Sequence, residues 1–263
     1  MSLVRWVAKE AGPVLVATFG VLLLWVLLTA SGIVPPSVLP TPAAVWDALW
    51  SGIADGTIPT AAAKTLIRLT FAFGVSIVLG TALGLGLAAS NFARRGVGKL
   101  VVALQVIPPP AWVPLAVVWF GPTERAVVFV AIAGAFPSVT RGTLSALRQV
   151  PPLFERAGRT LGAKGWRLYK DVVFPAALPG YVSGLQQAWG FAWWALMAGE
   201  LIIRAVQASG LGQLLARSSE PVDTALLLAV LAVIALIGVV VDFLVFCWID
   251  RRIRKQRGLP VVA

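Results

Sequence analysis

Six stretches of mostly apolar residues, separated by shorter polar segments, divide this chain of 263 residues. A helix needs about 20 apolar residues to cross the hydrocarbon core of a bilayer. Five of the stretches meet that length, and the fourth is shorter and contains Pro137. The pattern therefore predicts an all-α polytopic membrane protein, formed as one domain over residues 1–263, with six spans near 12–34, 66–90, 100–120, 125–140, 181–203 and 224–249.

The composition supports a membrane protein. Hydrophobic residues make up 59% of the chain and charged residues 13%, whereas a soluble domain carries about 25% charged residues. Histidine is absent from the sequence and Cys247 is the single cysteine. A metal centre built on histidine, a histidine proton relay and an intrachain disulfide are therefore not expected.

The net charge of +11 follows from the distribution of basic residues between the predicted loops. With the N-terminus inside and six alternating spans, 17 of the 22 basic residues fall on the inner side. An excess of Lys and Arg in cytoplasmic loops is the rule for membrane proteins. The charge pattern therefore predicts that both termini are cytoplasmic. It attributes the net positive charge to the orientation of the chain in the lipid bilayer, so no nucleic-acid partner is needed to explain that charge.

The second apolar stretch contains Gly80 and Gly84, spaced as in the G-x-x-x-G motif. Such small residues let another helix approach closely, either within one subunit or across a dimer. The motif is common in membrane helices, so packing within one subunit is the favoured interpretation.

Prolines interrupt the third predicted span at "IPPPAWVP", residues 107–114. A broken helix frees backbone carbonyls, which are tolerated in a membrane only where they face protein or a water-filled cavity. We therefore expect this segment to line a translocation path or its gate, although packing and interfacial anchoring are the favoured explanation for any single tryptophan. The candidate path residues are Pro110, Trp112, Pro114, Trp119, Trp193, Trp194, Glu200 and Arg204.

Glu200 and Arg204 lie four residues apart near the predicted outer end of the fifth span. Residues at this spacing share one helix face and can form an ion pair. Two interpretations follow: a solvated pair at the helix end, worth about 0.3–0.5 kcal/mol, or a pair that steadies an outer gate beside Trp193 and Trp194.

Residues 151–179 form a polar, basic segment between the fourth and fifth predicted spans. Apolar residues recur at helical spacing in two short runs, with Gly162 placed to end the first helix. Pro175 and Pro179 are expected to break the second helix before the fifth span. The segment is either a basic helix on the membrane surface or a docking element for a cytoplasmic partner.

Residues 156–163, Arg-Ala-Gly-Arg-Thr-Leu-Gly-Ala, followed by "VVFPAALPG", resemble the EAA loop of binding-protein-dependent ABC importer permeases. The alanine, the glycine and the Leu178-Pro179 pair match that motif, whereas Arg156 replaces its first acid and Glu155 lies one position early. "AWVPLAVVWFG", "AGELI" and "SGLGQLL" resemble the nitrate, taurine and aliphatic-sulfonate branch of the family.

The resemblance implies a type I importer in a bacterial inner membrane, in which a pair of permeases assembles with a cytoplasmic ATPase dimer and an extracytoplasmic solute-binding protein. It implies a permease homodimer, a small anionic solute such as a sulfonate, taurine or nitrate, and ATP-Mg bound only by the partner. No G-x-x-x-x-G-K-[ST] sequence occurs in this chain. The residues that the resemblance assigns to ATPase coupling are Glu155, Arg156, Ala157, Gly158, Leu161, Gly162 and Trp166.

Two other classes of function make different demands on the residues. A stand-alone secondary carrier or channel predicts paired ionisable groups at mid-membrane or an internal repeat, and neither is apparent in the sequence. A membrane enzyme predicts a cluster of Ser, His, Asp or Cys near an interface, which a chain with one cysteine and no histidine does not favour.

Overall fold

The computed structural model describes residues 3–203, 209–219 and 223–256, and every secondary-structure element in them is helical, as predicted. Twelve α-helices are separated by turns, by a 3₁₀ turn at Pro109–Trp112 and by π-helical turns at Tyr169–Val173 and Asp242–Cys247. The α-helices are α1 (Leu3–Ala30), α2 (Pro42–Ala54), α3 (Thr57–Ala89), α4 (Asn91–Val106), α5 (Val113–Phe120), α6 (Glu124–Arg148), α7 (Pro152–Thr160), α8 (Trp166–Leu168), α9 (Phe174–Ile202), α10 (Leu211–Ser218), α11 (Thr224–Val241) and α12 (Trp248–Gln256).

Three helical segments among the described residues are long and apolar enough to cross a membrane: Thr57–Ala89, Glu124–Arg148 and Thr224–Ile253. The bent pair Asn91–Val106 and Pro109–Phe120 gives a fourth if it is one span. The apolar part of α1, Val16–Ala30, is shorter, and α9 is long but is not among these segments. The count of six spans therefore stays a prediction.

The chain divides into two compact units, with boundaries inside α3, α10 and α11. One unit comprises residues 1–59 and 214–233. Within it the Trp25 indole N–H donates to the carbonyl of Pro40 at 3.0 Å, and the Thr224 hydroxyl donates to the carbonyl of Ser37 at 2.6 Å. These bonds tie the loop that follows α1 to α1 itself and to the start of α11.

The other unit comprises residues 60–213 and 234–263 and is built on the pair α6 and α9. The two helices approach so closely at Gly142 and Gly184 that a Cβ added to Gly142 would lie 2.9 Å from the Gly184 Cα. Further along the pair, Gly134 faces Ala195 with the same lack of space. Small residues at these crossings let the backbones touch, which is how membrane helices gain packing energy.

The predicted G-x-x-x-G contact is confirmed as packing within this chain. A Cβ on Gly80 would lie 2.7 Å from Val139, and one on Gly84 would lie 2.6 Å from Thr143. Both neighbours belong to α6, so α3 packs on the same helix that carries the α9 contact.

The third predicted span is broken as expected, and its first helix begins earlier than the predicted span. The helix begins at Asn91, well before residue 100, because the Ser90 hydroxyl accepts the N–H of Ala93 and caps α4. It ends at Val106, and the segment that begins at Pro109 runs at 101° to α4. Consecutive prolines remove the N–H groups that would continue the helix.

The helices at the fourth and fifth predicted spans also differ in length from those spans. Helix α6 runs through Pro137 to Arg148, and α9 begins at Phe174, so Pro175 and Pro179 lie inside α9 instead of ending a helix. A π turn precedes α9, in which the N–H of Phe174 donates to the carbonyl of Tyr169. Pro175 occupies the first turn of α9, where the missing N–H costs little.

Candidate functional site

The polar segment 151–179 forms a sharp corner after α7. Gly162 has φ of +91°, and its N–H donates to the carbonyl of Arg159 at 3.0 Å, while the Ala163 N–H donates to Gly158 at 2.9 Å. This pair of bonds is the Schellman arrangement that ends a helix at a left-handed glycine. The predicted place of Gly162 as the residue that ends the first helix is thus confirmed, and Gly165, at φ +55°, adds a second left-handed position.

Four large apolar side chains around this corner are exposed, Leu161 by 88%. We name this set, Leu153, Phe154, Leu161 and Trp166, the coupling surface. Two of them lie on α7, Leu161 caps its end, and Trp166 begins α8. Apolar side chains grouped on a polar segment mark an interaction site.

Gly158, which was expected among the ATPase-coupling residues, has a packing role in the corner. It is buried, and a Cβ at this position would lie 2.8 Å from Leu168 and 3.0 Å from Val172. The missing side chain lets α7 pack against α8 and the following π turn. Gly158 therefore fixes the angle of the corner and does not contribute a side chain to its surface.

The remaining predicted coupling residues lie on α7. Glu155 forms an ion pair with Arg159, one helical turn away, at 3.6 Å; the Arg159 side chain is mostly exposed and the Glu155 side chain is partly exposed. Arg156 and Ala157 are exposed as well. The acid that precedes the motif by one position is thus held in a surface pair within its own helix, which is worth at most about 0.5 kcal/mol.

A second group of predicted residues centres on Glu200, whose side chain is fully buried. Its carboxylate accepts from the Thr65 hydroxyl at 2.9 and 3.1 Å and from Arg68 Nη1 at 2.7 Å. Arg68 is also buried and donates through Nη2 to Glu124 at 2.7 Å. Helices α3, α6 and α9 meet at this cluster of three charges and one hydroxyl.

Backbone N–H groups at the start of α10 also donate hydrogen bonds to the Glu200 carboxylate and to its partner Thr65. The Gly212 N–H donates to Glu200 Oε2 at 3.0 Å, and the Leu211 N–H donates to the Thr65 hydroxyl at 2.8 Å. A Cβ on Gly210 would overlap the Glu200 carboxylate, and one on Gly212 would lie 2.7 Å from the Glu200 Cβ. The glycines at 210 and 212 therefore let the backbone reach the buried acid, whose charge suits a helix N-terminus.

The expected solvated pair at the end of the fifth span is wrong for Glu200, because this side chain has no exposed surface. Arg204 lies outside the described residues. Thr65 and Arg68 are partners of Glu200 that the sequence did not predict. An arginine inside an apolar stretch was the available signal, since such residues pair with another group in the bundle.

The tryptophans among the candidate path residues do not form a single cluster. Trp112 and Trp119 each contact Phe129, at ring-centroid distances of 6.4 and 5.4 Å. Trp193 stacks on Trp189 at 6.4 Å. Trp194 is exposed, as are Pro110 and Pro114.

Comparison with known proteins gives consistent matches. The family model described as "Binding-protein-dependent transport system inner membrane component" matches residues 76–255. The taurine transport system permease protein TauC of Escherichia coli (strain K12) is 28% identical over 244 residues, covering 90% of this chain and 88% of that protein. The nitrate import permease protein NrtB of Synechocystis sp. (strain ATCC 27184 / PCC 6803 / Kazusa) is 30% identical over 142 residues, covering 54% and 52%.

A solved structure has the same fold. An inward-facing conformation of the MetNI methionine ABC transporter aligns with a TM-score of 0.65 and 22% sequence identity. The alignment covers 75% of this chain and 96% of the solved one.

Proposed function

The chain belongs to the family of binding-protein-dependent transport system inner membrane components, and from that premise we propose how it is coupled, what it carries and with what it assembles. It is a membrane protein and a permease subunit of an ABC transporter. We propose that it conducts a small solute with an anionic group, such as taurine, a sulfonate or nitrate, inward across a bacterial inner membrane. A solute-binding protein delivers the solute, and both termini of the permease are cytoplasmic.

The observation that carries the coupling proposal is the coupling surface at the α7 corner. The exposure of Leu153, Phe154, Leu161 and Trp166, on a segment that contains two left-handed glycines, supports a partner that covers them. Burying one such side chain against a partner contributes about 1.5–3 kcal/mol. A rigid, apolar corner transmits displacement, because it has few internal degrees of freedom to absorb it.

The partner is a cytoplasmic ABC ATPase dimer that binds ATP-Mg and performs the hydrolysis. We assign ATP-Mg to the partner alone, in line with the absence of a phosphate-binding loop sequence from this chain. A second copy of this permease completes the conducting path. The family to which the chain belongs supports the ATPase and the binding protein.

The first experiment is co-purification of the full-length chain from its native membrane, followed by identification of the proteins that remain bound. We expect an ATPase with a phosphate-binding loop. In the same assay Leu161→Asp, which places a charge at the most exposed position of the corner, should remove the ATPase. Val38→Asp, at a residue 64% exposed in the loop after α1, is the matched control and should retain it. A chain that transports its solute in liposomes without any ATPase is instead a stand-alone carrier or channel, and the proposal fails.

The second experiment tests the corner itself. Gly162→Pro cannot adopt φ of +91° and also removes the N–H that donates to Arg159. We expect normal membrane insertion with loss of transport and of ATP hydrolysis stimulated by the binding protein. Lys164→Ala, an exposed residue in the same turn, is the control for general disturbance of the segment. Normal transport by Gly162→Pro would contradict the role of the corner.

A further inference from the structure

A groove lies beside the α7 corner, between the C-terminal ends of α3 and α6 and the start of α9. Its outer part has a volume of about 640 Å³ and its inner part a volume of about 250 Å³. Leu85, Leu147 and Phe174 line both parts, so the two parts are neighbours. We name them together the corner groove. All of its lining residues belong to the unit formed by residues 60–213 and 234–263.

The inner part of the corner groove is apolar. Every described residue that lines it is uncharged, and its hydroxyl groups already have partners. The Thr81 and Tyr181 hydroxyls are hydrogen-bonded to each other at 2.7 Å, and the Thr143 hydroxyl donates to the carbonyl of Val139 at 2.8 Å. Since a buried water needs two to four polar partners, a hydrocarbon chain suits this space better than water does.

Charged and aromatic residues line the outer part. Arg148, in the last turn of α6, forms no ion pair with any described residue, whereas Glu155 is paired with Arg159. Trp166 and Tyr169 also line this part, and both residue types are enriched where a membrane meets water. Arginine binds phosphate oxygens through paired N–H groups. The outer part therefore suits a phosphate head group.

The length of the groove matches one leaflet of a bilayer. Along α3 its lining extends from Thr81 in the inner part to Ala89 in the outer part, which is about 12 Å at a rise of 1.5 Å per residue. Half of the hydrocarbon core measures about 15 Å. Ala89 is the last residue of α3, which is long and apolar enough to cross a membrane. A ligand that extends from the membrane surface into the hydrocarbon therefore fits the groove, whereas a water-soluble partner does not reach its inner part.

The polar segment beside the groove has a charge that favours an anionic ligand. Residues 151–179 contain five basic and two acidic residues. Basic segments next to a membrane helix attract the anionic lipids of the cytoplasmic leaflet. The apolar inner part, the arginine at the outer part and the basic surroundings thus all suit the same kind of molecule.

We propose that the corner groove binds an anionic phospholipid from the cytoplasmic leaflet. One acyl chain occupies the inner part, between α3, α6 and α9, and the phosphate of the head group lies in the outer part with Arg148. The proposal rests on the proposed function for the side of the membrane on which the corner lies. Trp166 belongs both to the groove and to the coupling surface, so the lipid and the ATPase meet at this residue.

The first test labels the full-length chain, purified with any ATPase that stays bound, in nanodiscs of equal parts phosphatidylglycerol and phosphatidylcholine. Each lipid in turn carries a diazirine near the end of one acyl chain, and mass spectrometry locates the labelled residues after illumination. An arginine beside an anionic lipid should favour phosphatidylglycerol about fivefold at residues 81–85 and 177–181. Phe71 and Val78, exposed on α3 and outside the groove, are the internal control and should be labelled equally by both lipids.

Two results of this labelling would overturn the proposal. Equal labelling of the groove by the two lipids would mean that the site does not select an anionic head group. Absence of label from the groove, with normal labelling of Phe71 and Val78, would mean that the ATPase, a second copy of the permease or no ligand occupies it.

Variants separate the two ends of the site. Arg148→Gln, at an exposed position, should reduce the fivefold preference to about one, whereas Arg95→Gln, an exposed arginine of α4 outside the groove, should preserve it. Leu85→Trp fills the groove where its two parts meet and should remove the label of both lipids from residues 177–181. Leu79→Trp, the same change on an exposed face of α3, should retain that label. An unchanged preference in Arg148→Gln, or unchanged groove labelling in Leu85→Trp, would contradict the proposal.

These results are independent of the coupling test. A chain that retains its ATPase but shows no selective label in the groove refutes the lipid site alone. A chain that is labelled there by phosphatidylglycerol but binds no ATPase refutes the coupling proposal alone.

Discussion

Replacing Glu200 by Gln is the sharpest test of the buried polar cluster, because the substitution keeps the shape of the side chain and removes only its charge. The carboxylate has no exposed surface and accepts from Thr65, Arg68 and Gly212. An amide offers one acceptor oxygen where the carboxylate offers two. Its NH₂ group must therefore face the Arg68 guanidinium or the Gly212 N–H, both of which are donors.

The expected cost follows from these contacts. A hydrogen bond to a charged group contributes about 1.5–3 kcal/mol, and removing one partner of a buried ion pair costs about 3–5 kcal/mol. Arg68 keeps Glu124 as a second partner, which reduces the charge left unpaired. We therefore expect Glu200→Gln to lower the free energy of unfolding by about 3 kcal/mol, equivalent to a fall in melting temperature of about 6–12 °C.

Glu124→Gln is the matched control. The Glu124 side chain is 58% exposed and contacts the same arginine, so its loss should cost no more than about 1 kcal/mol. Thermal unfolding of the purified protein measures both variants. The double variant Arg68→Gln with Glu200→Gln should be less destabilised than the sum of the single changes by about 2 kcal/mol, because neither charge is then left alone.

Two outcomes would refute this account. If Glu200→Gln melts within about 2 °C of the original protein, the charge of the acid does not hold the cluster together. If Glu124→Gln and Glu200→Gln fall by the same amount, burial of the acid is not what makes the pair strong.

The other expectations concern packing and topology. Gly142→Val should destabilise the protein by about 3 kcal/mol, because its side chain would overlap the backbone of Gly184. Gly86→Val, with open space around its position, should cost less than about 1 kcal/mol. Equal losses of stability in thermal unfolding would contradict the close α6–α9 contact. For the topology, single cysteines are placed at the predicted outer positions Ser37, Thr57 and Ser219 and at the predicted inner positions Ser90 and Ser145. Only the outer cysteines should react with an impermeant thiol reagent added outside. The reverse pattern would overturn the predicted orientation.

The sequence by itself determined the features that depend on near neighbours. The apolar stretches indicated a helical membrane protein, since a lipid environment forces backbone groups to pair within their own helix. The corner at Gly162 was predictable because a helix end is decided by a few consecutive residues, and a glycine tolerates the left-handed conformation that the end requires. The break at residues 107–110 was predictable for the same reason, as prolines act on carbonyls only a turn away.

Tertiary structure alone decided which distant residues meet. Arg68 and Glu200 are 132 positions apart, and the sequence gives Glu200 a nearer basic neighbour in Arg204, so spacing favoured the wrong partner. The contact of Gly142 with Gly184 was equally hidden, because many glycines occur in the apolar stretches and their sequence does not say which helices cross. Pro175 and Pro179 were expected to end a helix, but both lie inside α9, which follows directly on a π turn. Local backbone conformation depends on consecutive residues and can be predicted from them. The pairing of one apolar helix face with another depends on the shapes of both faces once the chain has folded.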